Sequence, residues 1–328
     1  MKIDVHNHAT PETLLEFFAS EPSYGIEITS DHHMSGGAEG EYQLEPEFYD
    51  ADAKVANLEA HDLDGAVISI DPPFFYYEAE AGAGAALADV VNEGLRAMCA
   101  KRPDRLWWMA SVPLQDPARA ADMLAEQMRA GCIGVEIGTS TGAARLDEPG
   151  FEPFWAAAEE LGLPVMIHPA YQHPHPGYPG FHLQNVIGNM YETTIAAERL
   201  IMSGLLDRHP DLNIVIVHSG GYVAYQQGRL RHARTVRPYP PGTPENPRDY
   251  FGQIRFDCLT HDRKALAFLI DQVGVENMLM GTDLPCDMAT PDPWNELVAV
   301  AGEATASRIA EANVAALYGL ETHAPAAA

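Results

Sequence analysis

Five side chains that can bind a divalent metal stand at the ends of four short apolar runs in the sequence. They are His6 and His8 in KIDVHNH, His168 in PVMIHP, His218 in NIVIVHSGG and Asp283 in NMLMGTDLP. Each run is bounded by loop or turn residues, which is typical of a buried strand. Because buried strands rarely end in imidazole or carboxylate unless those groups converge, the pattern predicts one metal centre and therefore an enzyme.

The spacing of these residues predicts a catalytic metal site. His6 and His8 are two residues apart, and alternate residues of a strand point to the same face, so both imidazoles can reach one ion. His168 and Asp283 would be the further ligands. Three imidazoles and one carboxylate leave a coordination position open, unlike a closed structural site. Zinc is the ion that we expect, with manganese as the alternative.

His218 has a different expected role. It is followed by Ser219-Gly220-Gly221, a sharp turn that would leave the imidazole at the open end of the strands. A bound metal lowers the pKa of water to about 7, and a neutral imidazole beside it can move the proton. We therefore interpret His218 as the general acid/base and not as an obligatory ligand.

The runs that carry these residues belong to a longer alternation of strands and helices. Further strand-like runs lie at residues 65–70, 106–112, 132–137 and 253–257. Helical patterns lie between the strands, the clearest at residues 117–131, 151–162, 191–206 and 262–273. Eight strands alternating with helices predict an α/β fold of the (β/α)8 TIM-barrel type. A doubly wound open sheet is the alternative, but it would not gather ligands from the first and eighth strands.

We expect one barrel domain over residues 1–320, with an insertion at about residues 10–48 and a disordered tail at 321–328. The insertion is polar and rich in glycine around DHHMSGGAEGEYQ, which predicts a loop or small hairpin over the barrel mouth. Residues 172–182, dense in proline and glycine, predict a long loop after a strand. Both segments fall at the face where barrel active sites form.

The composition limits the partners of the chain. It carries 47 acidic and 20 basic residues, a net charge of −27, which argues against nucleic acid or an anionic membrane as a partner. No apolar run approaches membrane-spanning length, and the N-terminus lacks the apolar stretch of a signal peptide. The four cysteines form no C-x-x-C pair, which predicts free thiols in a reducing cytoplasm. An anionic substrate would need local positive charge from a metal or an arginine.

The chain resembles the amidohydrolase superfamily over almost its full length, and within it the branch of 2-amino-3-carboxymuconate-6-semialdehyde decarboxylase. The resemblance rests on MKIDVHNH, GVEIGT, VMIHP, ETTIA, VHSGG, GRLRH with VRP, and MGTDLP. It implies that the four expected ligands bind the metal, and that Asp283 and His218 act in catalysis. It also implies that Arg237 contacts a substrate carboxylate from the neighbouring subunit of a homodimer.

The chain departs from that branch at positions where the relatives contact the substrate. The segment GEYQLEPEF lacks their second substrate arginine, with Gln43 or a neighbour in its place, and Asn185 stands where they have tryptophan. We therefore do not expect a substrate with two carboxylates. Glu136, on the fourth strand, stands where the relative has a neutral residue. We interpret it as internally hydrogen-bonded, and not as a ligand of a second metal.

The resemblance implies a carboxy-lyase, which removes CO2 without oxidation from a small unsaturated or aromatic carboxylic acid. The same residues could serve hydrolysis of an amide or lactone, or hydration of a double bond, because fold and metal do not determine the reaction. The candidate substrate contacts are Arg237, Asn185, Tyr171, His173, Phe74 and Cys286. His173 and His175 could bind a second ion, but their flanking prolines favour exposed loop histidines.

Overall fold

The computed structural model describes residues 1–29, 31–36, 41–170 and 175–321. Within them the strands, in chain order, are β1 Ile3–Ala9, β2 Ile26–Ile28, β3 His33–Gly36, β4 Tyr42–Gln43, β5 Gly65–Ile70, β6 Leu106–Ala110, β7 Gly134–Gly138, β8 Ser140–Thr141, β9 Ala144–Arg145, β10 Val165–His168, β11 Ile214–Ile216 and β12 Ile254–Phe256. Seven of the eight predicted strand regions are therefore found as strands, and most of these strands are shorter than their apolar runs.

The α-helices of the described residues, in chain order, are α1 Glu12–Ser20, α2 Pro46–Tyr49, α3 Ala51–Ala60, α4 Ala81–Lys101, α5 Pro117–Arg129, α6 Glu152–Leu161, α7 Met190–Met202, α8 Leu205–Arg208, α9 Val223–Val236, α10 Arg263–Val273, α11 Pro293–Ala301, α12 Glu303–Ser307 and α13 Asn313–Tyr318. The predicted start of α5 is confirmed, since the Asp116 carboxylate accepts a hydrogen bond from the Arg119 N–H at 3.1 Å. Asp262 caps α10 in the same way, accepting from the Lys264 N–H at 2.8 Å.

Seven strands form one parallel sheet in the order β1-β5-β6-β7-β10-β11-β12. Every residue of β5 and of β10 is buried. Such continuous apolar strands are typical of a parallel sheet that is covered on both faces. The sheet curls into the predicted barrel, with the carboxyl ends of β1 and β10 on the same rim.

The eighth predicted strand, in the run NMLMGTD, is extended but is not a regular strand. It lies between β12 and β1 and hydrogen-bonds to both: the Leu279 N–H donates to the Phe256 carbonyl at 2.9 Å, and the Val5 N–H donates to the Met280 carbonyl at 2.9 Å. It pairs through isolated bridges, Phe256 with Met278 and Asn7 with Leu284, and Asp283 between them has a positive φ of 71°. An irregular segment therefore closes the barrel.

An apolar layer fills the barrel interior below the carboxyl ends of the strands. Its buried residues are Ile3, Val5, Val67, Met109, Met166, Val215, Val217, Leu279, Val314 and Tyr318. The last two come from α13, which thus seals the amino-terminal end of the barrel. Packed side-chain layers of this kind make the barrel interior a core and not a pore, so polar chemistry is confined to the upper rim.

The insertion after β1 contains more structure than the predicted loop or small hairpin. Strands β2, β3 and β4 form an antiparallel sheet, and α1 buries Leu14, Leu15 and Phe18 in the core. Helix α1 begins without a side-chain cap, so its start carries no signal of the kind that identifies α5. Residues 30, 37–40 and 171–174 lie outside the described residues, and so do residues 322–328 of the tail predicted at 321–328.

The cysteines and the helices can be compared with the two predictions made from composition, namely that the chain has no disulfide framework and no membrane-spanning segment. None of the four cysteines forms a disulfide, as predicted; Cys99, Cys132 and Cys258 are buried and Cys286 is partly exposed. None of the described helices combines the length and the apolar character that crossing a bilayer requires.

Candidate metal centre

Four side chains meet at the carboxyl-terminal rim of the barrel. His6, His8, His168 and Asp283 each offer one ligand atom, and these atoms lie within 4.8 Å of one another. All four residues are buried. Asp283 Oδ1 lies 3.3 Å from His6 Nε2 and 3.1 Å from His8 Nε2. The structure thus brings together the same four residues that the sequence nominates as ligands.

Each imidazole of this cluster is held through its Nδ1 atom. His6 Nδ1 lies 2.8 Å from the Asp257 carboxylate, His8 Nδ1 lies 3.2 Å from a carbonyl of β5, and His168 Nδ1 lies 2.7 Å from the carbonyl of the next residue. These acceptors place the proton of a neutral imidazole on Nδ1 and leave Nε2 as the lone-pair atom. His168 Nε2 is buried and has no hydrogen-bond partner within the described part of the chain. The donor set therefore fits a divalent metal.

The pKa values of the four clustered side chains also indicate that the cluster favours a positive charge. Burial alone would lower the pKa of His6, but the carboxylates of Asp283 and Asp257 raise it to about 10. Burial lowers the pKa of His8 to about 4 and holds that of His168 well below its usual range. Although burial opposes it, the His6 cation keeps the pKa of the Asp283 carboxyl well below its usual range. A metal would replace the His6 proton, because imidazole ligands bind metals in the neutral form.

Asp257 is the functional residue that the sequence reasoning did not single out. In addition to its contact with His6, its carboxylate accepts hydrogen bonds from the N–H groups of His218 at 2.8 Å and Ser219 at 2.5 Å. It is completely buried. One carboxylate therefore orients both a ligand imidazole and the turn that carries the expected acid/base. Its signal in the sequence is the acidic residue that ends the run QIRFD, the same place in its run that Asp283 has in NMLMGTD.

The turn that carries His218 is strained. His218 and Ser219 have φ values of 51° and 58°, a region that residues other than glycine rarely adopt. Gly221 has to be glycine, because a Cβ atom there would lie 2.3 Å from the Met190 carbonyl oxygen. Strain of this kind persists where the surroundings over-determine the backbone. Here the two N–H bonds to Asp257 supply that constraint.

The His218 imidazole lies beside the ligand cluster and contacts the other oxygen of Asp283. Its Nε2 atom is 3.6 Å from Asp283 Oδ2, whereas Oδ1 is the oxygen that faces His6 and His8. Its Nδ1 atom is buried without a hydrogen-bond partner among the described residues. An imidazole with so few fixed partners is well placed to carry a proton at the edge of the metal centre.

A buried polar network connects the two chain segments that carry the ligands. Asp4 of β1 accepts hydrogen bonds from the Thr282 N–H at 3.0 Å and from the Asn7 side-chain amide at 2.8 Å. Lys54 of α3, which is completely buried, donates to Asn7 Oδ1 at 2.9 Å and to the His8 carbonyl. Burial lowers the pKa of Lys54 to about 7. Helix α3 therefore helps to position His8 relative to the segment that ends in the carboxylate ligand.

Gly281 leaves no room for a side chain between His6 and Asp257. A Cβ atom at this position would lie 2.8 Å from His6 Cβ and 2.9 Å from Asp257 Cβ. The variant Gly281→Ala must therefore move the ligand imidazole or the carboxylate that orients it. We expect it to weaken metal binding by about 10- to 100-fold, the usual effect of losing an outer-shell contact, as measured by competition with a chromophoric chelator. Gly252→Ala is the control, since a Cβ atom there meets nothing within 4 Å; equal affinities of the two variants would contradict the expectation.

A cavity of about 360 Å³ opens above the cluster. Its floor is formed by His8, His168, His218 and Asp283. Its walls come from the insertion after β1, from the turn after β5, from the π-helical segment Gln184–Asn189 and from the residues that follow Asp283. The cavity therefore gives a small molecule access to both the expected ligands and His218.

Two of the candidate substrate contacts line this cavity, namely Asn185 and Cys286. Tyr171 and His173 lie outside the described residues. His175 is exposed, as expected for a loop histidine.

Phe74 and Arg237 do not line the cavity of the chain. Phe74 is buried in the core, with its ring centroid 5.4 Å from that of Phe18, because the bend after β5 turns Pro72 and Pro73 toward the cavity instead. The expectation for Phe74 is thereby corrected. Arg237 follows the last residue of α9 and is exposed.

Glu136 is completely buried beneath the cluster, with Oε1 4.0 Å from His8 Nδ1. Burial raises its pKa to about 8, so the carboxyl is mostly protonated near neutral pH. Among the described residues, one group of three or more side chains could hold a metal ion, namely the cluster of four ligands described above. Glu136 does not belong to that group. A protonated carboxyl is a poor metal ligand, which argues against a second metal at this residue. The predicted internal hydrogen bond is not found, because both Glu136 oxygens are buried without a hydrogen-bond partner among the described residues.

The comparisons with known proteins agree with this geometry. The family model described as amidohydrolase matches residues 3–320. The 2-amino-3-carboxymuconate-6-semialdehyde decarboxylase of Dictyostelium discoideum is 28% identical, over 98% of this chain and 92% of the relative. The structure of 2,6-dihydroxybenzoate decarboxylase from Rhizobium is 25% identical, covers 97% of this chain and 98% of that chain, and has a TM-score of 0.77.

A second similar structure bears on the fold alone, because its sequence identity is 22%. It is a dihydroxybenzoic acid decarboxylase from Polaromonas with bound manganese, which covers 97% of this chain and 96% of that chain at a TM-score of 0.78. Agreement over nearly the whole of both chains shows that these proteins share one fold.

Proposed function

This chain belongs to the amidohydrolase family, and we propose that it is a metal-dependent decarboxylase of a small aromatic or unsaturated carboxylic acid. The observation that carries the proposal is the convergence of three imidazole Nε2 atoms and one carboxylate on the floor of a cavity, with His218 beside them. Relatives that match nearly the whole chain are decarboxylases, which favours loss of CO2 over hydrolysis on the same scaffold.

The chemistry divides between the metal and His218. When bound by His6, His8, His168 and Asp283, a divalent metal supplies positive charge beside the substrate carboxylate or an adjacent oxygen. The bond between the carbon and its carboxylate breaks, CO2 leaves, and the electron pair stays on carbon. His218 would hold a proton at Nε2, 3.6 Å from Asp283 Oδ2, and deliver it to that carbon. Phe48, which also lines the cavity, helps to exclude water from this step.

The proposal also extends to the identity of the metal, the oligomeric state of the protein and its cellular compartment. We propose zinc, with manganese as the alternative, because a set of three imidazoles and one carboxylate suits both ions. A homodimer is proposed because Arg237 is exposed in a single chain, where a second chain could receive it. A cytoplasmic location is proposed on the ground that none of the four cysteines forms a disulfide.

The test of the reaction is CO2 release across a panel of acids. Protein loaded with zinc or manganese is incubated with hydroxybenzoates and muconate-like acids, while CO2 and ultraviolet absorbance are followed. We expect CO2 to form in proportion to the loss of one substrate's absorbance, and protein stripped of metal to be inactive. Turnover of lactones or amides, with no CO2 from any acid, would instead favour the hydrolase alternative.

A further inference from the structure

A second groove, with a volume of about 280 Å³, lies between α9 and α10. The first half of α9, the turn before β12 and the second half of α10 supply its walls. The side chains that give it chemical character are those of Tyr225, Gln227, Arg231, Arg248, Phe268 and Gln272. None of its described lining residues lines the cavity above the metal-ligand cluster. The groove is therefore separate from the candidate metal centre.

The charge of the groove is the opposite of the charge of the chain. Arg231 and Arg248 line it, whereas aspartate and glutamate are absent from its described lining residues. Arg248 donates to the Gln272 carbonyl at 2.5 Å, and neither guanidinium forms an ion pair within the described part of the chain. In a chain with 47 acidic and 20 basic residues, two such arginines in one groove indicate a site for an anion. The guanidinium fork matches the two oxygens of a carboxylate.

Two aromatic rings stand beside these guanidinium groups. Tyr225 of α9 is 76% exposed and Phe268 of α10 is 42% exposed. Their ring centroids are 6.4 Å apart, with an angle of 56° between the ring planes. One large exposed apolar side chain is common on protein surfaces, but here two rings form an apolar wall at an anion site. A planar ring is the ligand group that packs well against such a wall.

Gln227 adds an acceptor between the two kinds of wall. Its side chain is 4% exposed although the residue lines the groove. Its Nε2 atom donates to Glu198 Oε1 and to the Val223 carbonyl, both at 3.0 Å. Its Oε1 atom is buried and has no hydrogen-bond partner among the described residues. Buried amide oxygens normally accept a hydrogen bond, so this one is suited to a donor that a ligand supplies.

We propose that the groove between α9 and α10 is a second binding site, which holds a small aromatic carboxylate whose ring carries an N–H or O–H donor. The carboxylate pairs with the two guanidinium groups, the ring packs against the two aromatic side chains, and the donor bonds to Gln227 Oε1. The inference goes beyond the proposed function and does not depend on it, because the groove contains none of the expected metal ligands. Arg237, which is proposed to act in a second chain, does not line the groove.

Ligand-detected NMR titrations of the zinc-loaded full chain test the site, with benzoate and the three aminobenzoate isomers as probes. We expect benzoate to bind about tenfold or more tightly than acetate, which lacks the ring. At least one aminobenzoate should bind more tightly than benzoate, since its amine supplies the donor. This binding should remain when a chelator removes the zinc.

Variants assign the binding to the groove. The double variant Arg231→Gln with Arg248→Gln should weaken benzoate by about tenfold or more. The matched control is Arg229→Gln with Arg263→Gln, which also removes one charge from α9 and one from α10, at exposed positions outside the groove. It should bind benzoate as the native chain does. Gln227→Leu should bring the tightest aminobenzoate to the affinity of benzoate. Thermal melting shows whether each variant is folded.

Several results would overturn the inference. Equal affinities for benzoate and acetate would mean an adventitious anion only, and equal losses in the two double variants would mean a general effect of charge. Loss of all benzoate binding with the zinc would place the ligand in the metal cavity. A changed oligomeric state in the groove variant alone, measured by sedimentation, would assign the groove to an interface between copies. Binding in the groove without CO2 release from any acid would sink the proposed reaction and leave this site standing.

Discussion

His218→Ala is expected to keep its metal and to lower kcat/KM for CO2 release by about 10²- to 10⁴-fold, the usual contribution of a general acid. The reason lies in the two oxygens of Asp283. Oδ1 faces the imidazoles of His6 and His8, while Oδ2 faces His218 Nε2 at 3.6 Å. Removing the His218 imidazole thus takes away the proton carrier and leaves the four expected ligands in place.

His168→Ala is the matched comparison, because its ring centroid lies only 4.8 Å from that of His218. We expect this variant to lose metal as well as activity, since its Nε2 atom is one of the four converging ligand atoms. The measurements are metal content after dialysis and the rate of CO2 release at saturating metal. Equal metal loss in both variants would mean that His218 is itself a required ligand, and would overturn the division of roles.

The metal-ligand role of residues at the ends of strands was predictable from the sequence, because two constraints act on such residues together. An apolar run indicates burial, and an ionisable residue at its end is unfavourable unless it has partners. This reasoning nominated His6, His8, His168 and Asp283, which the structure brings together. It also predicted the barrel, since only a closed sheet brings the first and the last of these runs side by side.

Contacts made by backbone atoms were not predictable in the same way. Asp257 ends its apolar run as Asp283 does, but two of its donors are N–H groups of the strained turn at His218 and Ser219. The sequence does not show that this turn bends toward the carboxylate. The eighth segment has the composition of a strand, but it pairs with its neighbours through isolated bridges, and Asp283 within it has a positive φ. Phe74 was misplaced because a short turn after β5 decides which neighbour faces the cavity, and two prolines do.

Asp257→Asn is expected to weaken metal binding by about 10- to 100-fold, and to lower activity further when metal is saturating. In the native chain Oδ2 accepts from His6 Nδ1 and from the His218 N–H, both at 2.8 Å. Oδ1 accepts from the N–H groups of Ser219 and Leu259. An amide has one accepting oxygen, so its NH2 group must face donors in either orientation.

Either orientation of that amide harms the site. If the NH2 group faces His6, the imidazole can satisfy it only by moving its own proton to Nε2, the atom needed for the metal. If the NH2 group faces Ser219, the turn that holds His218 loses a bond that offsets its positive φ. Chelator competition and CO2 release at saturating metal separate these effects. Asp262→Asn is the control, because Asn also caps helices well and Asp262 caps α10. Native metal affinity in Asp257→Asn would mean that this carboxylate does not control the His6 tautomer. It would also contradict the inference that one buried acid orients both the ligand His6 and the proton carrier His218.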